Sequence, residues 1–147
     1  MKRRQLDFRE ERGDLEQYLA YIRRHRHPVS LLLDRLADPR NIGALFRIAD
    51  AARLQAIYGY RMPALLHRKK LHRVARGTQT HIPYTPLRDQ EAVRRLTETA
   101  RLVALERTND SVPYTEYAPA LPCILIVGNE QQGVSPELLA LAHDCIH

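Results

Sequence analysis

Leu31-Leu32-Leu33-Asp34-Arg35-Leu36-Ala37-Asp38-Pro39-Arg40-Asn41-Ile42-Gly43-Ala44-Leu45-Phe46-Arg47 is the stretch that decides the fold. Val29 to Leu33 is a short run, apolar but for Ser30, the pattern of a strand buried on both faces. Asp38-Pro39 then opens a helix, because proline is tolerated in the first turn, where its missing N–H costs nothing. Ile42, Leu45, Phe46, Ala49 and Ala52 form one apolar stripe along that helix. Gly43 and Arg47 fall on a single helical face, so a ligand or a backbone can approach where Arg47 projects. Asn41 lies well around the helix from Arg47 and belongs to the turn or cap, where its amide can fix the loop.

The pattern repeats outward. Leu15, Tyr18, Leu19 and Ile22 have helical spacing over 14–26, and Pro28 ends that helix. Strands are expected at Gln55–Tyr60, Arg101–Leu105 and Cys123–Val127. Ile82–Leu87 is extended, and Pro83 and Pro86 assign it to an edge or a loop. Helices are expected at His67–Arg76, Asp89–Thr99 and Pro136–Ala142, the last with Ser135 as N-cap. Thr108–Ala120 reads as a loop, and Cys145-Ile146-His147 as the opening of a further strand. Alternating strands and helices predict an α/β domain with a mostly parallel sheet flanked by helices.

The chain has 147 residues, 44% hydrophobic, with 23 basic and 17 acidic side chains and a net charge of +6. No apolar run approaches the ~18 residues of a membrane span, and the N-terminus lacks the apolar segment of a signal peptide. The basic excess gathers at Arg61, Arg68, Lys69, Lys70, Arg73 and Arg76, with no acid among them, which suits phosphate contacts. Arg40 joins them as an RNA-binding candidate. Two cysteines outside any C-x-x-C pattern predict buried thiols in a reduced, cytoplasmic protein. The seven histidines lack metal-ligand spacing, so no metal site is expected.

A second polar loop follows the Cys123–Val127 strand: Gly128-Asn129-Glu130-Gln131-Gln132-Gly133. Its glycines allow a tight bend and close approach to a ligand, and Glu130 could hold either Asn41 or Arg47. Neither a G-x-G-x-x-G pattern nor a P-loop lysine is present, which argues against nucleoside triphosphate binding by that route.

Taken together, Asn41-x-Gly43-x-x-x-Arg47, Ala49-Asp50-Ala51 and the Gly128–Gly133 loop resemble the SPOUT RNA methyltransferases, in their TrmH-like ribose 2′-O-methyltransferase branch. Val103-Ala104-Leu105 is similar to the strand end that meets the cofactor in that family. The resemblance covers residues 29–147, with residues 1–28 as a basic, helical extension. It implies a trefoil-knot domain, S-adenosylmethionine as cofactor, a homodimer that completes each active site, and metal-free methyl transfer to a ribose 2′-hydroxyl of tRNA or rRNA. By the same resemblance Arg47 is the catalytic arginine, Asn41 its positioning partner and Glu130 their support. Leu105, Gly128 and Gly133 line the cofactor pocket. A guanidinium stays protonated, so Arg47 suits stabilising a developing alkoxide and orienting a phosphate. The family's third motif, Ile-Pro-Met followed by Ser-Leu-Asn-Val, is absent, so the knot-forming segment is expected to be missing and the domain C-terminally incomplete. A non-catalytic RNA-binding relative is the alternative.

Overall fold

The computed structural model describes residues 15–63 and 69–147. Six strands form one sheet: β1 (Val29–Asp34), β2 (Ile57–Tyr60), β3 (Tyr84–Leu87), β4 (Arg101–Leu105), β5 (Cys123–Val127) and β6 (Asp144–Ile146). Their order is β3-β2-β1-β5-β4-β6, and every neighbouring pair is parallel. The helices are α1 (Leu15–Arg24), α2 (Pro39–Ala51), α3 (Lys69–Ala75), α4 (Gln90–Leu96) and α5 (Pro136–Leu139).

The alternation of side chains along β1 explains the three layers. Leu31 and Leu33 face one side, packing with Ile42, Phe46 and Ala49 of α2 and Leu71 and Ala75 of α3. Leu32 faces the other, packing with Val93 of α4, Leu138 of α5, Ile124 and Ile126. A strand covered on both faces needs a largely apolar run, which Val29 and Leu31–Leu33 supply, with the small Ser30 buried among them. β3, with Pro86, pairs with β2 and is one of the two edge strands.

From β1 the chain moves outward through β2 and β3, then crosses to the far side for β4 and inserts β5 against β1. The strand order therefore reverses between β1 and β5, and the carboxyl ends of the strands open a crevice there, where ligands bind in open α/β sheets. Leu33 pairs with Val127, so both polar loops singled out in the sequence leave from this point.

Several local expectations are corrected. Gln55 and Ala56 precede β2, which starts at Ile57. α4 begins after Asp89, whose carboxylate caps it by accepting from the Ala92 N–H at 2.8 Å. Ser135 occupies the N-cap position of α5, but its buried hydroxyl makes no capping bond and has no hydrogen-bond partner among the described residues. Its backbone N–H is instead held by Asp34, which draws the residue inward. The expected 108–120 loop contains a 3-10 turn at Tyr114–Glu116. Cys123 is buried, and burial pushes its thiol pKa up, whereas Cys145 is only half-buried. Gly43 admits a backbone, not a ligand: a Cβ there would lie 2.8 Å from Val74 Cγ1 and 3.0 Å from Ala75 N, so α3 fills the space. Among the described residues, no helix is long and apolar enough to cross a membrane.

Candidate active site

Asp34 ends β1 and is fully buried. A buried carboxylate is costly unless it is bonded. Here Oδ2 accepts from the Ser135 N–H at 2.6 Å, and Oδ1 accepts from Arg35 Nε at 3.1 Å. Arg35 turns the chain with φ 56°. Its guanidinium also donates to Gln132 Oε1 at 2.9 Å and to the Gly133 carbonyl at 3.3 Å. In return Asn129 Nδ2 donates to the Arg35 carbonyl at 2.8 Å. The end of β1 and the loop after β5 are thus fastened to each other from both sides.

The loop also fastens itself. Asn129 Oδ1 accepts from the N–H groups of Gln131 and Gln132, at 2.9 and 3.1 Å. The backbones of Asn129 and Gly133 exchange two bonds of 2.9 Å. From the other side, Glu106 Oε2 accepts from the Val134 N–H at 2.8 Å. Both glycines are required by this closure. A Cβ at Gly128 would collide with the Gly133–Val134 backbone, and one at Gly133, where φ is +66°, with the Glu106 carboxylate. Their side-chain space is filled by protein, so only their backbone can face a ligand. Leu105, which pairs with Val127, leaves 43% of its surface exposed at the end of β4.

Asn41 lies in the first turn of α2, after the true cap, Asp38, which accepts from the Arg40 N–H at 2.8 Å. Asn41 Nδ2 donates to Glu130 Oε1 at 2.9 Å. Of the two partners open to Glu130 in the sequence, the structure selects Asn41. Burial pushes the Glu130 carboxyl upward, but the Asn41 amide and the N–H groups of Glu130, Asp38 and Ala37 outweigh it, and its pKa falls below the ordinary value.

Arg47 stands apart. It is six residues along α2 from Asn41, about 9 Å along the axis at the helical rise, and it is exposed. Among the described residues it makes no hydrogen bond or ion pair; it lines a groove between α1 and α2. Arg40 is exposed and paired with Asp38 at 2.6 Å. Arg73 and Arg76 are exposed on and after α3. Arg68 and the side chains of Lys69 and Lys70 lie outside the described residues. Arg61 pairs with Glu137 at 2.6 Å and lies over the Tyr60 ring.

Sequence reasoning missed Asp34, Arg35, Asn129 and Glu106 as the groups that shape the loop. One signal was available for Asp34: a carboxylate that directly ends a doubly buried strand needs a partner close by.

The model of the SpoU rRNA methylase family matches residues 28–147. The 23S rRNA (guanosine(2553)-2′-O)-methyltransferase RlmP of Bacillus subtilis is 35% identical over 109 residues, 74% of this chain and 44% of that protein. The TrmH/SpoU tRNA modifying enzyme of A. aeolicus superposes with a TM-score of 0.75 at 25% identity, covering 90% of this chain and 70% of that one. The AdoMet-bound rRNA methyltransferase of Sinorhizobium meliloti gives a TM-score of 0.73 at 26% identity, over 87% of this chain and 49% of that one. The chain thus spans about half the length of the curated relatives it matches.

Proposed function

Because this chain belongs to the SpoU rRNA methylase family, we propose that it transfers a methyl group from S-adenosylmethionine to a ribose 2′-hydroxyl of tRNA or rRNA. The observation that carries this reading is the Asn41–Glu130 hydrogen bond, which joins the segments that follow β1 and β5 at the point where the strand order reverses. The relatives' names and the cofactor bound to the Sinorhizobium meliloti enzyme support the chemistry and the cofactor.

The residues fit an adenosyl group. Leu105 presents exposed apolar surface at the end of β4, next to the bend at Gly128. The Gly128–Gly133 loop contributes backbone polar groups and bonds from Arg35 and Glu106 that hold its shape. In this reading Leu105, Gly128 and Gly133 hold the cofactor, which when bound supplies an electrophilic methyl group. Asn41 and Glu130 fix the start of α2 against the loop. Arg47 keeps its charge and stabilises the negative charge that develops on the 2′-oxygen. Arg40, Arg68, Lys69, Lys70, Arg73 and Arg76 contact phosphates.

The reading carries a homodimer that completes each active site. Arg47, exposed and apart from the Asn41–Glu130 pair, is the group such an arrangement would bring to the loop of a second copy. Residues 1–28 act as an extension of the methyltransferase domain. Residues 1–14 of that extension lie outside the described residues.

The test is methyl transfer from labelled S-adenosylmethionine to total RNA from a strain that lacks the protein, with digestion to nucleosides. Label on a 2′-O-methylated nucleoside is expected. Label on a base would overturn the ribose assignment, and no label with RNA binding intact would point to a non-catalytic relative.

A further inference from the structure

The ends of three adjacent strands share a feature that the proposed reaction leaves unused. Asp34, Tyr60 and Leu87 are register partners on β1, β2 and β3, and the residue after each is an arginine: Arg35, Arg61 and Arg88. Neighbouring strands lie about 4.8 Å apart, so the three form a row that starts beside the crevice and reaches about 10 Å toward the β3 edge. Arg35 is committed to the loop, through Gln132 and the Gly133 carbonyl, and to Asp34. Arg61 holds a left-handed φ of 48°, a conformation that disfavours every residue but glycine. Its guanidinium lies over the Tyr60 ring, 5.0 Å from the centroid, and donates to Glu137 Oε1. The Arg61 side chain is nevertheless 56% exposed, against 27% for that carboxylate. Arg88 is exposed and, among the described residues, makes no hydrogen bond or ion pair. The other acids beside the row already have partners: buried Asp34 accepts from the Ser135 N–H, and Asp89 accepts from the Ala92 N–H as the cap of α4.

We propose that Arg61 and Arg88 bind the phosphodiester backbone of the substrate RNA where it leaves the modified nucleotide, so that the strand crosses the ends of β2 and β3 toward the β3 edge. Guanidinium is the side-chain group best matched to phosphate oxygens, and two of them stand on neighbouring strands. The row is continuous with the crevice, because the Arg35 N–H donates to the Tyr60 carbonyl at 3.0 Å and ties the ends of β1 and β2 together. Arg61 is oriented by the Tyr60 ring before any RNA arrives, which lowers the ordering cost of binding. A brace for α5 is the competing role for Arg61, but an exposed ion pair contributes little and is a weak reason to hold a non-glycine residue in a left-handed turn. The α2 face, which the homodimer reading gives to a second copy, takes no part. Arg61 pairs with α5 and Arg88 precedes α4, and both helices lie in the layer on the other side of the sheet. The inference rests on the methyltransferase reading for the identity of the RNA.

The test uses the 147-residue chain and a fluorescein-labelled, single-stranded oligouridylate of about ten nucleotides, with affinity read by anisotropy across a salt series. Arg61→Gln and Arg88→Gln are each expected to lower the slope of log affinity against log salt by roughly 0.7, and the double variant by roughly 1.4. Glu137→Gln separates phosphate binding from bracing. It frees the Arg61 guanidinium and removes a carboxylate beside the phosphate, so affinity should rise, whereas loss of a brace should weaken binding just as Arg61→Gln does. In the unmodified chain, the oligonucleotide is expected to protect Arg61 and Arg88 from phenylglyoxal, read by peptide mass spectrometry, which needs no variant to fold. No binding by the unmodified chain at low salt, an unchanged slope in the double variant, or labelling of Arg88 that RNA does not slow would overturn the proposal. Equal weakening by Glu137→Gln and Arg61→Gln would also overturn it, because Arg61 would then be a brace. So would a fall in sedimenting mass for Arg88→Gln with RNA affinity unaltered, because the row would then be an interface between copies. A lowered slope without methyl transfer to any RNA would leave the row standing and remove the methyltransferase reading. Methyl transfer with an unchanged slope would do the reverse.

Discussion

Asn41 Nδ2 donates to Glu130 Oε1 across 2.9 Å, joining two residues 89 positions apart in the chain. The bond ties the first turn of the helix after β1 to the loop after β5. Removing it with Asn41→Ala takes the largest stabilising contact from the Glu130 carboxylate, so its pKa should rise from its lowered value toward the ordinary one. Asn41→Asp should raise it further, because two carboxylates would then face each other. NMR titration of the Glu130 side chain measures both shifts. Both residues are exposed, so thermal stability should change by about 1 kcal/mol or less, while methyl transfer should fall at least tenfold. Turnover that survives both substitutions would remove the pair from the mechanism.

Glycine at 133 is required for two separable reasons, its φ of +66° and the Glu106 carboxylate where a Cβ would stand. Gly133→Ala should therefore destabilise the protein by about 1–3 kcal/mol. In a Glu106→Ala background the collision is gone and only the backbone cost of roughly 1–2 kcal/mol remains. The double-mutant cycle in urea should show that coupling. Strict additivity would mean that the loop already moves away from Glu106. Because Glu106 also accepts from the Val134 N–H, Glu106→Ala alone should speed amide exchange at Val134.

Asp144 on β6 holds the outermost strand to β4 through the Arg101 guanidinium, with the Tyr117 hydroxyl donating at 2.6 Å. Chiefly through the Arg101 bond, its carboxyl pKa is pulled from 3.8 to about 2. A depressed carboxyl stabilises the fold above its unfolded pKa and loses that contribution as pH falls through the folded one. The urea midpoint of Asp144→Asn should therefore lie below that of the unmodified protein at neutral pH. The gap should close between pH 3.8 and about 2. A gap that persists unchanged at the acid end would assign the loss to packing of β6, not to charge.

Much of this arrangement is legible in the sequence because it rests on local patterns. The Val29–Leu33 run, apolar but for Ser30, specifies a strand covered on both faces, and parallel strands need the helices that cover them. Asn41, Glu130 and their loops could be named, but not the bond between them. Glu130 had two plausible partners, and only the order β1-β5 places Asn41 opposite it. Gly43 signalled a close approach without saying what approaches, and the answer is α3. Ser135 followed the capping pattern, yet the Asp34 carboxylate, 101 positions away, claims its N–H. Arg35 and Glu106 look like surface charges in the sequence. Their task depends on contacts with Gly133 and Val134 that no local pattern encodes.

Arg47 is exposed and, among the described residues, without a hydrogen bond or ion pair. Its contribution to folding is therefore small, and Arg47→Ala should leave the thermal midpoint unchanged within about 0.5 kcal/mol of stability. Its contribution to reaction should be large, because a fixed positive charge at a developing alkoxide is worth about 10²- to 10³-fold in turnover. Arg47→Lys separates charge from geometry. If Arg47 engages a phosphate and the 2′-oxygen together, the planar guanidinium has no substitute, and lysine should restore little. If only charge matters, lysine should restore most of the rate. Single-turnover methylation of the same RNA by the three proteins decides between these, and unchanged turnover in Arg47→Ala would exclude the residue from catalysis altogether.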